Sequence, residues 1–228
     1  MILAIDTALA AASACLLDPS QAELVAAEVL PMASGHAEAL FPLLERVMAR
    51  DPRGFDGLRR VAVTIGPGSF TGIRIGVAAA RAIGLACKIP VVGVSTLAAL
   101  AAPSIATGGR SPIVAAIDAR HGNVFVQAFG AAGETLLGPA LMSASDAVRS
   151  VGAAQMRLVG SGGPLMAVAA APLGIGADAD LASVLVDIGF VARLGALADP
   201  RLALPRPLYL KAPDATPPAP ASLLRAEA

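Results

Sequence analysis

The residues best placed to do chemistry lie in Gly66–Gly76, GPGSFTGIRIG, directly after the apolar run VAVTI. A glycine turn between a strand and a helix gathers free N–H groups at the positive end of the helix dipole, which suits a phosphate. Spacing argues against both familiar grips. A Walker A loop needs lysine and then serine or threonine after its last glycine, and here Ile73 and Arg74 follow Gly72. The dinucleotide fingerprint fails as well, because the third glycine of GPGSFTG comes one residue late.

Histidine, cysteine and arginine offer little more. Two histidines at i and i+4 on a helix could share a metal, but His36 is followed at that spacing by Leu40. His121 falls in a hairpin turn of the second half. His36 therefore reads as a capping or hydrogen-bonding residue, and no metal is expected. No Ser/His/Asp or Cys/His set can be assembled, which removes protease chemistry. Cys15 and Cys87 sit in apolar contexts without a CxxC pair and read as buried, reduced thiols of a cytoplasmic protein. Arg46, Arg50, Arg53, Arg59 and Arg60 gather around the connector DPRGFDG. Without interleaved aromatic residues for base stacking they read as a solvated rim, auxiliary at most to nucleic acid.

The elements that must hold these residues follow from composition and period. The chain has 228 residues, 17 basic against 17 acidic, so no global charge draws it to nucleic acid or membrane. With 56% hydrophobic but 3% aromatic residues, the core must be built from Ala, Val, Ile and Leu, which lets layers approach closely. The uncharged run Ile89–Gly109 is long enough for a bilayer, but Pro90, Gly93 and Pro103 divide it into strand, turn and helix. MILAIDT has no basic flank, and Asp6 interrupts it before a signal peptide forms. A cytoplasmic protein without membrane contact is expected.

MILAID, ASACLLD and AELVAAEVL read as a three-strand meander, and Leu40, Leu44, Val47 and Met48 mark a helix from Gly35. VAVTI is a buried strand, Thr71–Lys88 a helix, and PVVGV another strand before a helix capped at Ser95 or Thr96. PSIATGGRSP, Pro103–Pro112, reads as a hinge. Beyond it IVAAID, NVFVQAF and a weaker GETLLGP are strands, SASDAVRSV a helix, MRLVG a strand and GGPLMAVAAA a turn and helix. A last helix is expected over about Asp180–Ala198. The doubled order predicts two similar α/β lobes, at residues 1–104 and 105–212. The Pro- and Ala-rich tail at 213–228 is expected to lack order.

Read together, AIDTALAAASACLLD, SGHAEALFPLLERVM, VAVTIGPGSFTGIRIGVAAARAIGLA, PVVGVSTLAALA and IDARHGNVFVQAF resemble the TsaB (YeaZ) family from Met1 to about Lys211. GPGSFTGIRIG is the specific part, and the order of the others makes the match. The resemblance implies an α/β, two-lobed actin/Hsp70/sugar-kinase (ASKHA) fold, each lobe a mixed sheet flanked by helices. It implies a non-catalytic subunit that supports a TsaD-type catalytic subunit, together with a TsaE-type ATPase. That complex attaches threonylcarbamoyl to adenosine 37 of tRNAs reading ANN codons, so tRNA is reached indirectly. A homodimer stays open for the chain alone.

The resemblance also assigns residues. The helix from Gly35 and the helix from Thr71 are implied to meet the partner, which points to His36, Leu40, Leu44, Val47, Arg74, Gly76, Ala79, Ala80 and Ile83. Active relatives bind phosphate in a first hairpin turn rich in Gly, Thr and Ser. Here Asp6-Thr7-Ala8-Leu9-Ala10 keeps only Asp6 and Thr7, and without glycine the backbone cannot readily approach a phosphate. Gly160-Ser161-Gly162-Gly163 resembles the adenosine turn of the second lobe, so Asp6, Thr7, Gly160, Gly162 and Gly163 are candidates for vestigial adenine-nucleotide contacts. No cofactor is otherwise implied. The alternative is an autonomous ATP-using small-molecule kinase or ATPase of the same fold.

Overall fold

In the computed structural model residues 1–180 and 184–211 are described; the tail expected from residue 213 lies outside them. β1 (Ile2–Asp6), β2 (Ala11–Asp18) and β3 (Glu23–Pro31) form an antiparallel meander. α1 (His36–Met48), β4 (Arg60–Thr64), α2 (Phe70–Cys87), β5 (Val91–Val94) and α3 (Thr96–Thr107) follow. β4 pairs parallel with β1, and β5 with β4, so the sheet runs β3-β2-β1-β4-β5. The second half repeats this topology. β6 (Ile113–Asp118), β7 (Asn123–Phe129), β8 (Thr135–Ser143), α4 (Ala144–Val151), β9 (Gln155–Val159), α5 (Gly163–Ala170), β10 (Gly176–Asp180) and α6 (Ile188–Leu197) give the order β8-β7-β6-β9-β10. These are the two mixed sheets flanked by helices that the sequence leads one to expect.

Covering helices on both faces explain why β1 and β4 are continuous apolar runs rather than alternating ones. Leu3, Ile5, Val61 and Val63 pack outward with α1 and α2. Ile2, Ala4, Ala62 and Val92 pack inward, where α3 and α6 fill the layer between the sheets. The second sheet turns Val114, Val126 and Leu158 to α4 and α5. Small residues set the spacing of the middle layer: a Cβ on Gly195 of α6 would collide with the Cβ of Ala62. α2 is the one helix, among the described residues, long and apolar enough to cross a membrane by length and composition. It packs on β4, β1 and β5 as a core helix.

The structure departs from the sequence reading in four places. Asp180 ends the strand β10 rather than starting a helix; GADAD has little strand propensity and is held extended by parallel pairing with β9. α6 starts only at Ile188, capped by Asp187, whose Oδ1 accepts from the Gly189 N–H at 2.8 Å. The hinge expected from Pro103 is helix as far as Thr107, whose Oγ1 donates to the Pro103 carbonyl at 2.7 Å. Finally, α6 returns to the first sheet and lies on β1, β2 and β4 although it follows the whole second sheet in sequence.

The arginine rim is also largely committed. Arg60 Nη1 donates to the carbonyls of Gly195 (2.6 Å), Ala196 (2.9 Å) and Ala198 (2.9 Å), satisfying the C-terminal end of α6 from a strand far away in sequence. Arg46 pairs with Glu28 and Arg53 with Asp51, while Arg59 donates to the Asp56 and Leu58 carbonyls. Cys15 Sγ faces the Ile188 carbonyl at 3.4 Å, and burial pushes its thiol up to about 12.

Candidate functional site

The loop Gly66–Ser69 and the first turn of α2 rest against the β1–β2 turn. Ser69 N–H donates to the Ala8 carbonyl at 2.8 Å, and Ser69 Oγ caps α2 by accepting from Gly72 N–H at 3.2 Å. Thr7 Oγ1 donates to the Gly72 carbonyl at 2.7 Å. A Cβ on Gly72 would strike the Thr7 carbonyl oxygen, and one on Gly68 the Ala8 carbonyl. The glycines of GPGSFTGIRIG thus let a helix start seat itself on the backbone of the first hairpin. Thr7, a candidate nucleotide contact, spends its hydroxyl on α2.

Asp6 lies beneath this turn and is almost fully buried. Its Oδ1 accepts from the Ala8 N–H at 3.0 Å and the Thr64 hydroxyl at 2.5 Å. Burial pushes the Asp6 carboxyl up, against the opposing pull of the Thr64 and Ala8 hydrogen bonds and of His36. A carboxyl raised in the native state contributes stability fully below its unfolded value, near 4, and loses it as pH climbs through the native value. Asp6→Asn keeps an oxygen acceptor and cannot ionise. Its urea midpoint should therefore fall less than that of the wild type between about pH 4 and pH 8. Parallel pH profiles would rule the buried-acid account out.

His36 opens α1, buried, with Nε2 3.1 Å from the Leu9 carbonyl. A carbonyl only accepts, so Nε2 carries the proton and donates, joining α1 to the β1–β2 turn. Gly160 has φ +90°, where a Cβ would strike the Ala116 carbonyl, and Gly162 N–H donates to that carbonyl at 2.9 Å. Gly163 begins α5. This turn is the second-lobe counterpart of Gly66–Ser69, seated on β6 as that loop is seated on the β1–β2 turn.

The helix faces need correction. Leu40, Leu44 and Val47 of α1, and Gly76, Ala79, Ala80 and Ile83 of α2, are buried in the first lobe's own core, as is His36. Of the residues assigned to the partner, only Arg74 is exposed. The small-residue face turns inward because the sheet, with Thr7 and Val63, comes within contact of Gly76. The outward stripe of α2 is instead Thr71, Arg74, Ala78, Ala82 and Leu85, at helical spacing, with Leu85 83% exposed. Phe41 of α1, 58% exposed, stands on the same side of the sheet.

A cleft of about 660 Å³ separates the lobes at the β1–β2 turn, lined also by Ser69, Phe70, Asp118, Arg120 and Lys211. Arg120 and His121 stand at φ +66° and +54° in the β6–β7 turn, a left-handed backbone uncommon outside glycine. At its edge Arg74 lies 3.7 Å over the Phe70 ring and donates from Nε to the Tyr209 hydroxyl at 2.8 Å. Sequence reading missed this cluster, since Tyr209 reaches it only by folding.

A family model for TsaD, tRNA N6-adenosine threonylcarbamoyltransferase, matches residues 29–182. The tRNA threonylcarbamoyladenosine biosynthesis protein TsaB of Escherichia coli (strain K12) is 35% identical over 124 residues, 54% of this chain and 52% of that protein. The chain belongs to the TsaB (YeaZ) family. An uncharacterized Mycobacterium tuberculosis (strain H37Rv) protein is 34% identical over 171 residues, 75% of this chain and 72% of its own length. The chain spans about half the length of the curated TsaB relatives it matches. YeaZ from Pseudomonas aeruginosa superposes with TM-score 0.74 at 23% identity over 92% of this chain and 99% of that one. The polyphosphate/ATP-glucomannokinase of Arthrobacter sp. strain KM reaches TM-score 0.50 at 10% identity, covering 86% and 98%. The fold is thus that of YeaZ, and the glucomannokinase shares its outline.

Proposed function

We propose that this TsaB-family chain is a non-catalytic, cytoplasmic accessory subunit in forming N6-threonylcarbamoyladenosine at position 37 of tRNAs reading ANN codons. It docks on a TsaD-type catalytic subunit, with a TsaE-type ATPase serving the complex and tRNA reached through the catalytic partner. The observation that carries this reading is the seating of α2 on the first hairpin. Thr7 and the Ala8 carbonyl are occupied by α2 and its loop. The docking surface is the outward stripe of α1 and α2 around Phe41, Ala78 and Leu85, apolar yet exposed.

The interlobe cleft, with Arg120 and Lys211 in its wall, favours one alternative, an autonomous ATP-using kinase or ATPase. Depleting the chain from cells should lower threonylcarbamoyladenosine in tRNA hydrolysates, and the tagged full chain should co-purify with the TsaD-type subunit. Alone it should not turn over ATP. Unchanged modification after depletion, or ATP turnover lost in Asp6→Ala, would replace the accessory reading with the kinase one.

A further inference from the structure

We propose that, in addition to the route to tRNA through the catalytic partner, the Phe70–Arg74–Tyr209 cluster is a stacking platform through which this chain itself contacts single-stranded RNA. Aromatic residues are 3% of the chain, yet two of them meet here with ring centroids 5.2 Å apart. Both remain open to solvent, Phe70 at 40% and Tyr209 at 45% exposure. Arg74 covers one ring at 3.7 Å and fixes the other through Nε. Its Nη nitrogens carry no hydrogen bond among the described residues, so the guanidinium is oriented without being consumed. A preset arrangement of rings and guanidinium presents flat faces to bases and donors to phosphate.

Charge points the same way. The chain is neutral overall, but between Asp56 and Asp118 it has no acidic residue, while Arg74, Arg81 and Lys88 fall on α2 or its end. The segment that brings Tyr209 carries Arg206 and Lys211 and has no acid between Asp199 and Lys211. Leu208 N–H donates to the Ile65 carbonyl at 2.7 Å, which holds that segment beside the start of α2. Phe70 and Lys211 also line the interlobe cleft, where Arg120 stands in its left-handed turn. Its volume of about 660 Å³ leaves room for a base splayed from the strand. An acidic polypeptide would use the cations but gain less than stacked bases from two half-exposed rings beside a guanidinium, so the surface fits nucleic acid better.

The accessory reading supplies only the identity of the RNA, tRNA; the platform is tested without it. Fluorescence anisotropy of a labelled oligoadenylate of about 12 nucleotides, titrated with the full chain, should show binding that weakens with salt. Phe70→Ala and Tyr209→Ala should each weaken it roughly 5- to 150-fold, the range for loss of one stacked base. Arg74→Ala should lower the salt slope by about 0.7. Tyr209→Phe, which keeps the ring, should stay within about two-fold of wild type, separating stacking from any loss of fold. Arg149→Ala, on α4, should change nothing. No binding by the wild type, or equal binding by the Phe70→Ala and Tyr209→Ala variants, would overturn the platform. So would polyglutamate displacing the RNA equally from wild type and Phe70→Ala, which would assign the surface to an acidic protein. Partner capture and tRNA modification are measured separately, so either proposal can fail alone.

Discussion

Gly72→Ala is expected to lower the melting temperature by about 6–12 °C, corresponding to about 3 kcal/mol in a chain of this size. The added methyl would meet the Thr7 carbonyl, a backbone atom in a buried turn that cannot swing aside. Relief requires lifting the start of α2 off the β1–β2 turn, which stretches the Thr7 hydroxyl bond to Gly72 and the Ala8 carbonyl bond to Ser69. Helix propensity alone predicts the opposite sign, since alanine is favoured over glycine inside a helix by about 1 kcal/mol. Thermal unfolding of the two proteins side by side decides the matter. A stabilised Gly72→Ala would mean that the loop is not seated as described.

The second large effect separates the two faces of α2. Ala80 is wholly buried, so Ala80→Glu puts a charge into the outer core and should leave the chain unfolded or insoluble. Ala78 is exposed two residues earlier, and Ala78→Glu should preserve the melting curve. If α2 docks on a partner through its outward stripe, Ala78→Glu and Leu85→Glu should each weaken capture of the TsaD-type subunit by about 30-fold or more, as expected of a charge at the centre of an interface. Capture at wild-type strength by both folded variants would remove this face from the interface.

Much of the architecture was legible in order and period. Apolar strands, two glycine turns between strand and helix and the doubled pattern all announce two mixed sheets. Three features stayed hidden. β10 is made of Gly, Ala and Asp and owes its extension to β9 rather than to its own residues. Both faces of α2 look alike in sequence, because Ala78, Ala79, Ala80 and Ala82 differ only in what the sheet brings against them. Periodicity marks a stripe of small residues without saying which side is inward. The Phe70–Tyr209 pair joins residues far apart in sequence, beyond the reach of any local pattern. The His36 reading as a hydrogen-bonding residue is met by its contact with Leu9.

The return of α6 to the first sheet has a consequence for how the chain is made. Cys15 meets Ile188 across 173 residues, and Arg60 meets Gly195 across 135. Ile65 and Gly93 find their last hydrogen bonds in Leu208 and Ala203. The amino-terminal sheet therefore still lacks α6 on its inner face when the ribosome has finished the second one, and α6 is added only afterwards. High contact order of this kind slows folding and prolongs the exposure of apolar strands. The lobe that emerges first is the one that matures last, so a nascent chain stalled before α6 would present Ile2, Ala4 and Ala62 to chaperones rather than to its own helix.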